Sequence, residues 1–546
     1  MLSNIFKKDW SFVLILSSFL IIITSLPFVY GYLSAPAGQY YLGFHNLAPG
    51  DYSVYFSYIL QFYQGHFLFS DLYTAEPQSG NIINTFWDLT GLAGKIFHLS
   101  PFWAFHLARI LAIPALISVL YLFAHRYFPV TSQRRLAIIF FLFATGISAL
   151  LAPFFYKNFY EVNGYINLPM DLWVAESNIF LSMLHSGHMI ASLVLLMLIF
   201  HWSLKFLEKN NYKYSLMAGL GALALLSFHP FPLPIIFCVL TVFWLAISSR
   251  DRRINWFFFK HILIIFFISL PLLVYYFIEL NFDLVTIIRA KQNICLTPAW
   301  YFLFTGFGFL LIFGAIGCWR YVREHNFKDN NQLFIAVWLP VQLALIFLPF
   351  NFQRRLVGGL QIPLTIFALA GLAACHREFK NNKIFSKYIF NNKLLLIFLF
   401  ISLFTLSNFF VLALDIHSIT ARAENYYPVK EIDAMNWIKN NLGEQNLILA
   451  NPKISGHFIP GIAGRRVFAG HWVETIFYNQ KTVAVDWFFN AETSDDEKLN
   501  FLSKNKITHI FYGQSEKKLG GYELDNKPYY REVFGNEAVK IYQAIY

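Results

Sequence analysis

Long apolar runs recur along the chain up to Leu414, separated by short polar segments. They predict helices near 11–31, 102–124, 136–153, 186–206, 214–228, 235–248, 256–279, 300–319, 333–349, 356–375 and 394–414, eleven in all. The fifth and sixth fall short of the ~20 residues a straight membrane crossing needs. They are joined by His229-Pro230-Phe231-Pro232-Leu233-Pro234, which no continuous helix tolerates. Residues 214–248 therefore read either as two short spans or as one re-entrant hairpin. After Leu414 the pattern changes. "VKEIDAMNWIKNNL" sets Ile432, Met435, Trp437, Ile438 and Leu442 at helical spacing. "NLILA", "RVFAG", "ITHIFYG" and "VKIYQAIY" read as strands, and "SDDEKLNFLSKN" as a helix capped by Ser494. Alternating strands and helices predict a small α/β domain.

The composition agrees with that pattern. Of 546 residues 57% are hydrophobic and 13% charged, against roughly 25% charged in a soluble domain. With 62 Phe, the chain excludes a soluble enzyme, a disordered protein and a disulfide scaffold. Four Cys form no CxxC pair. The lack of an Asn-X-Ser/Thr sequon favours a prokaryotic source.

The net charge of +11 changes meaning once it is mapped. With the N-terminus placed inside, inner segments hold 20 Lys and Arg, and the outer side without the tail holds 7. The excess is a topology signal, not affinity for nucleic acid. It predicts a multi-pass plasma-membrane protein with a cytoplasmic N-terminus. The first apolar run reads as a span and not a cleaved signal. Residues 415–546 carry 15 basic and 16 acidic residues and fall outside. The expected fold is thus mostly α: a polytopic transmembrane helical bundle over 1–414, with long outer loops at 32–101 and 154–185. A soluble, extracytoplasmic α/β domain follows at 415–546.

The outer loops concentrate acids. The first holds Asp51, Asp71, Glu76 and Asp88 beside one basic residue; the second holds Glu161, Asp171 and Glu176. Within the first, "APGDYSVYFSYILQFYQG" reads as an amphipathic helix begun by Pro49, Gly50 and Asp51, its aromatics in the outer headgroup region. A carboxylate at a membrane face suits the binding of a divalent cation or the removal of a proton from a hydroxyl. Arg354 and Arg355 stand beside an apolar wall, where forked charge-assisted hydrogen bonds suit a phosphate. Arg109 lies inside a span one turn from His106, and ionisable groups at that depth are candidates by default. His188 and His229 would face the same outer cavity.

This layout resembles the GT-C superfamily of membrane glycosyltransferases. The matching features are the long first outer loop with its acid at "Gly50-Asp51-Tyr52", the second acidic loop "DLWVAESNIF", and about eleven spans ending in an outer domain. The family's paired Asp-Glu of the first loop is absent, since Tyr52 follows Asp51. The resemblance implies an enzyme that moves a hexosyl or pentosyl group from a polyprenyl-phosphate donor to an acceptor hydroxyl, on the outer face and with inversion. Asp51 would be the general base. Glu176 or Asp171 would assist the acceptor or, with Asp51, hold Mg or Mn. Arg354 and Arg355 would stabilise the leaving phosphate, with His188 and His229 donating to it. Partners would be that donor, membrane lipids, and a glycan, lipid or protein acceptor.

Other readings compete. Asp51, Asp171 and Glu176 also suit helix caps. Arg354 and Arg355 also suit headgroup anchors, and Arg109 with His106 could snorkel outward. His185 and His188 have helical ligand spacing, but a pair alone falls short of a metal site. Asp71 and Glu76 read as solvated loop residues. His471 and Glu474 in "GHWVET" read first as surface or core. As whole-protein alternatives, a lipid or glycan transporter predicts buried mid-membrane charges, and a non-enzymatic scaffold predicts no acids at the membrane face.

Overall fold

The computed structural model describes residues 9–43, 45, 49–324, 327–379, 392–421 and 425–546. Lys7, Lys8, Lys380, Lys383 and Lys387 of the inner segments lie outside them. The protein is mostly helical, with a small strand-containing region near its C-terminus. Among the described residues nine segments are long and apolar enough to cross a membrane: Trp10–Leu33, Pro101–Tyr127, Thr131–Lys157, Gly187–Lys209, Leu233–Arg250, Trp256–Phe282, Phe302–Glu324, Gln361–Phe379 and Leu394–Ala421. The runs expected at 214–228 and 333–349 form helices Lys213–Leu226 and Asn330–Leu345, of 14 and 16 residues. Both are too short for a straight crossing. The chain turns between Leu226 and Leu233 at the proline-rich segment, because each ring removes a donor that a helix would use. The third segment is broken as well. Its regular helix stops at Phe143, and a 3₁₀ turn at Ser148–Leu151 precedes the short helix Ala152–Lys157.

The chain forms two compact units. The first contains the residues through Leu26, then Ala108–Tyr276 and Ile294–Asp415. Its helices Phe302–Glu324 and Gln361–Phe379 meet backbone to backbone. A Cβ at Gly317 would fall 1.8 Å from the Phe367 carbonyl oxygen, and one at Gly371 would fall 2.1 Å from that of Phe313. Where no hydrophobic effect drives helices together, such close approach supplies the packing. Arg109 is fully buried in this unit. Its guanidinium donates to Thr24 Oγ1 at 2.9 Å, Ser25 Oγ at 2.7 Å and the Met183 carbonyl at 3.2 Å. It therefore ties three segments together instead of snorkelling.

The second unit contains Pro27–Leu107, Phe277–Asn293 and Ile416–Tyr546. Its sheet has five strands in the order Arg466–Val467, Leu447–Leu449, His509–Tyr512, Lys540–Ala544, Tyr530–Gly535. The first three are parallel and the last two antiparallel additions, with Ile448 opposite His509 and Ile510 opposite Tyr542. The first outer loop joins this sheet. Val467 N–H donates to the Leu72 carbonyl at 2.9 Å, and Thr74 bridges Ala469. Ser494 caps its helix, accepting from Glu497 N–H, as the sequence predicts.

The helix Asp51–Gln64 differs from expectation. Its aromatics do not face outward: Tyr52, Val54, Phe56, Tyr58, Ile59 and Phe62 are buried in the core of this unit. It packs on the helix Ser455–Ala463, where a Cβ on Gly461 would lie 2.4 Å from Ser53 Oγ. Ser53 Oγ donates to the His457 carbonyl at 2.8 Å and accepts from Tyr73 at 2.9 Å. Aromatic periodicity suits a lipid interface and a protein core equally, and here the C-terminal segment provides the core.

Candidate active site

Asp51 stands in the first turn of its helix, and the cap position belongs to Gly50. Its side chain is 36% exposed, and Tyr55 Oη donates to Asp51 Oδ2 at 3.4 Å. On the other side, His471 Nε2 lies 3.6 Å from Asp51 Oδ1. The backbone sets the tautomer of that histidine. Nδ1 of His471 accepts from Val473 N–H at 3.2 Å and from Glu474 N–H at 3.3 Å, so the ring proton sits on Nε2 and points toward Asp51. A separation of 3.6 Å is too long for a hydrogen bond.

The His471 ring is held from both faces. Trp472 stacks on it at 4.4 Å between centroids and His457 at 5.5 Å. Burial, and then the neighbouring His471, push His457 down to about 3, so it is neutral. Gly50 is required by this packing. A Cβ there would fall 2.6 Å from Trp472 Cη2 and 3.3 Å from His471 Nε2. A sequence signal for His471 exists in its place just after the strand end at Phe468-Ala469-Gly470. Nothing in the sequence sets His457 or Tyr55 apart.

Glu474, three residues on, pairs with Arg289 at 3.2 Å. Asp71 is buried beside them and is not a solvated loop residue. Burial, then the charge of Glu474, push it up to about 8. Its Oδ1 accepts from Tyr73 N–H at 2.9 Å. Glu76 is likewise paired, with Lys481 at 2.6 Å. Replacing His471 by Phe keeps the ring stack and removes both ring nitrogens, the Nε2 proton and the Nδ1 acceptor of Val473 and Glu474 N–H. If Asp51 serves as the base that the sequence leads us to expect, loss of this neighbouring donor should slow the reaction about tenfold. An unaltered rate would reduce His471 to a packing residue.

The first unit holds a second cluster. Arg354 and Arg355 lie in the 3₁₀ turn Gln353–Val357 and diverge. Arg354 lies over the Trp173 ring at 4.3 Å, Arg355 over the Phe231 ring at 4.3 Å. Trp173 and Glu176 belong to the same outer loop, and a Cβ on Gly358 would come within 4.0 Å of the Glu176 Cβ. His188 and His229 meet edge to face at 5.7 Å, and both lie within electrostatic reach of Arg355. Each binds a serine hydroxyl through Nδ1: Ser186 at 2.7 Å and Ser192 at 2.8 Å. Among the described residues, the buried Nε2 of His229 has no hydrogen-bond partner. An arginine beside an unsatisfied imidazole N–H can hold an oxyanion.

Asp171 stands apart from both arginines' rings. It is buried against Gly146 and Gly306 and accepts from Ser148 N–H at 3.3 Å. Burial pushes it up to about 7, opposed by the hydroxyls of Ser407 and Ser148. Arg109 is absorbed by its three helical partners. Among the described residues no three His, Cys, Asp or Glu side chains converge to hold a metal ion. Divalent Mg or Mn prefers about six oxygen ligands, so this donor set does not fit one through protein groups alone.

No family model matches the sequence, and no curated protein matches it. The fold does match solved structures. The Archaeoglobus fulgidus oligosaccharyltransferase tethered with an acceptor peptide containing the NVT sequon superposes with a TM-score of 0.54 at 13% identity, over 93% of this chain and 69% of that one. The oligosaccharyltransferase AglB from the same organism, in complex with an inhibitory peptide and a dolichol-phosphate, gives 0.52 at 12% identity, over 93% and 70%. Shared architecture over nearly the whole chain, long apolar helices followed by an α/β region, gives this protein the GT-C fold.

Proposed function

We propose that the protein is a membrane glycosyltransferase. It takes a sugar from a polyprenyl-phosphate donor and passes it, with inversion, to an acceptor hydroxyl on the outer face of the plasma membrane. The carrying observation is the Asp51–His471 pair, an acid whose two oxygens face two donors and whose helix cap is supplied by another residue. The GT-C fold supports the reading, as does the neighbour that binds a dolichol-phosphate.

The reaction needs a base and a group that answers the leaving phosphate, and each cluster, taken in its own unit, has the chemistry for one of these roles. Asp51 takes the proton as the acceptor oxygen attacks the anomeric carbon. The bond from that carbon to the lipid phosphate breaks, and its electron pair leaves on the phosphate oxygen. Within the first unit, Arg355 with His188 and His229 offers the positive charge and hydrogen-bond donors that a leaving phosphate requires; Arg354 and Glu176 flank them. Attack opposite the leaving group inverts the centre. A divalent ion, if used, would have to be held largely by substrate and water, and no step above needs it.

Purified protein in vesicles with a radiolabelled polyprenyl-phosphate hexose should release free lipid phosphate and label the acceptor. A transporter would move the donor and leave its sugar–phosphate bond whole, and that outcome would remove the enzyme reading. The orientation rests on the lysine and arginine bias. A cysteine placed at Ser494 should react with a membrane-impermeant thiol reagent in intact cells, and one at Ser132 should not. Reverse labelling would put Asp51 on the wrong side.

A further inference from the structure

The second unit contains a cavity of about 840 Å³, within the range of about 300–1,000 Å³ usual for small-ligand sites. One edge is Pro49 and Gly50, the residues just before Asp51. Tyr427 and Phe458, whose rings meet at 5.3 Å, and the half-exposed Trp472 form its apolar surface. The Trp472 ring is backed by His471, which fixes its plane. A flat, amphipathic indole fixed in this way suits the C–H face of a sugar ring, as aromatic rings with one wet face do elsewhere.

The polar part of the lining has a sign. Lys453 and Lys518 are exposed at it, and among the described residues neither ammonium forms an ion pair. The lining has one acid, Glu431, which is buried and whose charge is disfavoured there by burial and by its neighbour Glu516. Gln514 and Ser515 add neutral hydrogen-bonding groups between the two lysines' segments. A neutral sugar would use the aromatic surface and leave both lysines idle. A lipid tail would use the aromatic surface and likewise leave both lysines idle. An anionic carbohydrate uses both.

From this we infer that the cavity binds an acidic carbohydrate chain, one bearing carboxylate or phosphate groups, as the acceptor whose hydroxyl is delivered past Gly50 to Asp51. The acceptor role rests on the transferase reading; the binding site does not. The positive rim selects charge and the Trp472 face selects sugar rings. Gly50 leaves the passage open, because any side chain there would strike Trp472.

Calorimetric titration of the detergent-solubilised full chain tests this with three probes: tetragalacturonate, maltotetraose and inorganic phosphate. Tetragalacturonate should bind about fivefold to thirtyfold tighter than maltotetraose at low salt, the worth of two partly exposed ion pairs. That preference should shrink as salt rises. Lys453→Gln with Lys518→Gln should abolish the preference without weakening maltotetraose. Trp472→Ala should weaken both oligosaccharides. Equal binding of acidic and neutral chains, or competition by phosphate as effective as by the acidic chain, would overturn the inference. Donor cleavage is measured in the same preparation. Its failure counts against the transferase reading, and loss of acidic-chain binding counts against this site, so the two are read separately.

Discussion

Asp51→Asn lowers the transfer rate by about 10²–10⁴-fold, the usual worth of a positioned general base. The substitution is chosen to change one property. Asn has the shape of Asp and can still accept from Tyr55, which now donates to Oδ2 at 3.4 Å. It cannot take up a proton from the acceptor. The side chain is partly exposed and does not cap its helix, so the fold loses little, and melting temperature and yield should stay put. Donor KM should also hold, since the loss falls on a group that acts in the transition state. An Asp51→Asn protein with undiminished transfer would return Asp51 to a favourable charge at a helix N-terminus.

Arg355→Ala weakens donor binding by about 2–5 kcal/mol, the cost of removing one partner of a buried hydrogen-bonded charge pair. The geometry distinguishes the two arginines. Arg355 lies over Phe231, in the same turn as His229, and its charge reaches His188 and His229. Arg354 lies over Trp173 on the side of Glu176, and its backbone N–H is tied to the Cys295 carbonyl at 3.0 Å. Arg354→Ala should therefore cost donor affinity less than Arg355→Ala does. Arg355→Lys keeps the charge but loses the planar fork, and should fall between. If neither alanine variant alters donor affinity in a titration, both arginines are headgroup anchors and the phosphate site is lost.

The two kinds of segment were legible to different degrees, for physical reasons. Hydropathy reports transfer from water, so the long spans and the change after Leu414 are plain in the sequence. It does not report what an apolar surface meets. The Asp51–Gln64 helix looked interfacial for that reason, whereas its aromatics lie under the C-terminal segment. Asp71 looked solvated because its buried neighbours, Glu474 and Arg289, are remote in sequence. The strand Tyr530–Gly535 was missed because a bulge between Glu532 and Phe534 breaks its alternation. Arg354 and Arg355 were legible as a pair. Their divergence came from a 3₁₀ turn where a continuous helix had been expected. His471 reads in the sequence as a surface or core residue, since its position against Asp51 depends on a backbone-fixed tautomer that no residue pattern reveals.

The central claim is a direct displacement at the anomeric carbon by a hydroxyl that Asp51 deprotonates. The most direct test is the anomeric configuration of the transferred sugar, read by proton NMR on product made from a donor of known configuration. The account predicts the opposite configuration to the donor's, with that product formed about 10²–10⁴-fold more slowly by Asp51→Asn. A product that keeps the donor's configuration would require two displacements and a covalent intermediate, and would contradict it.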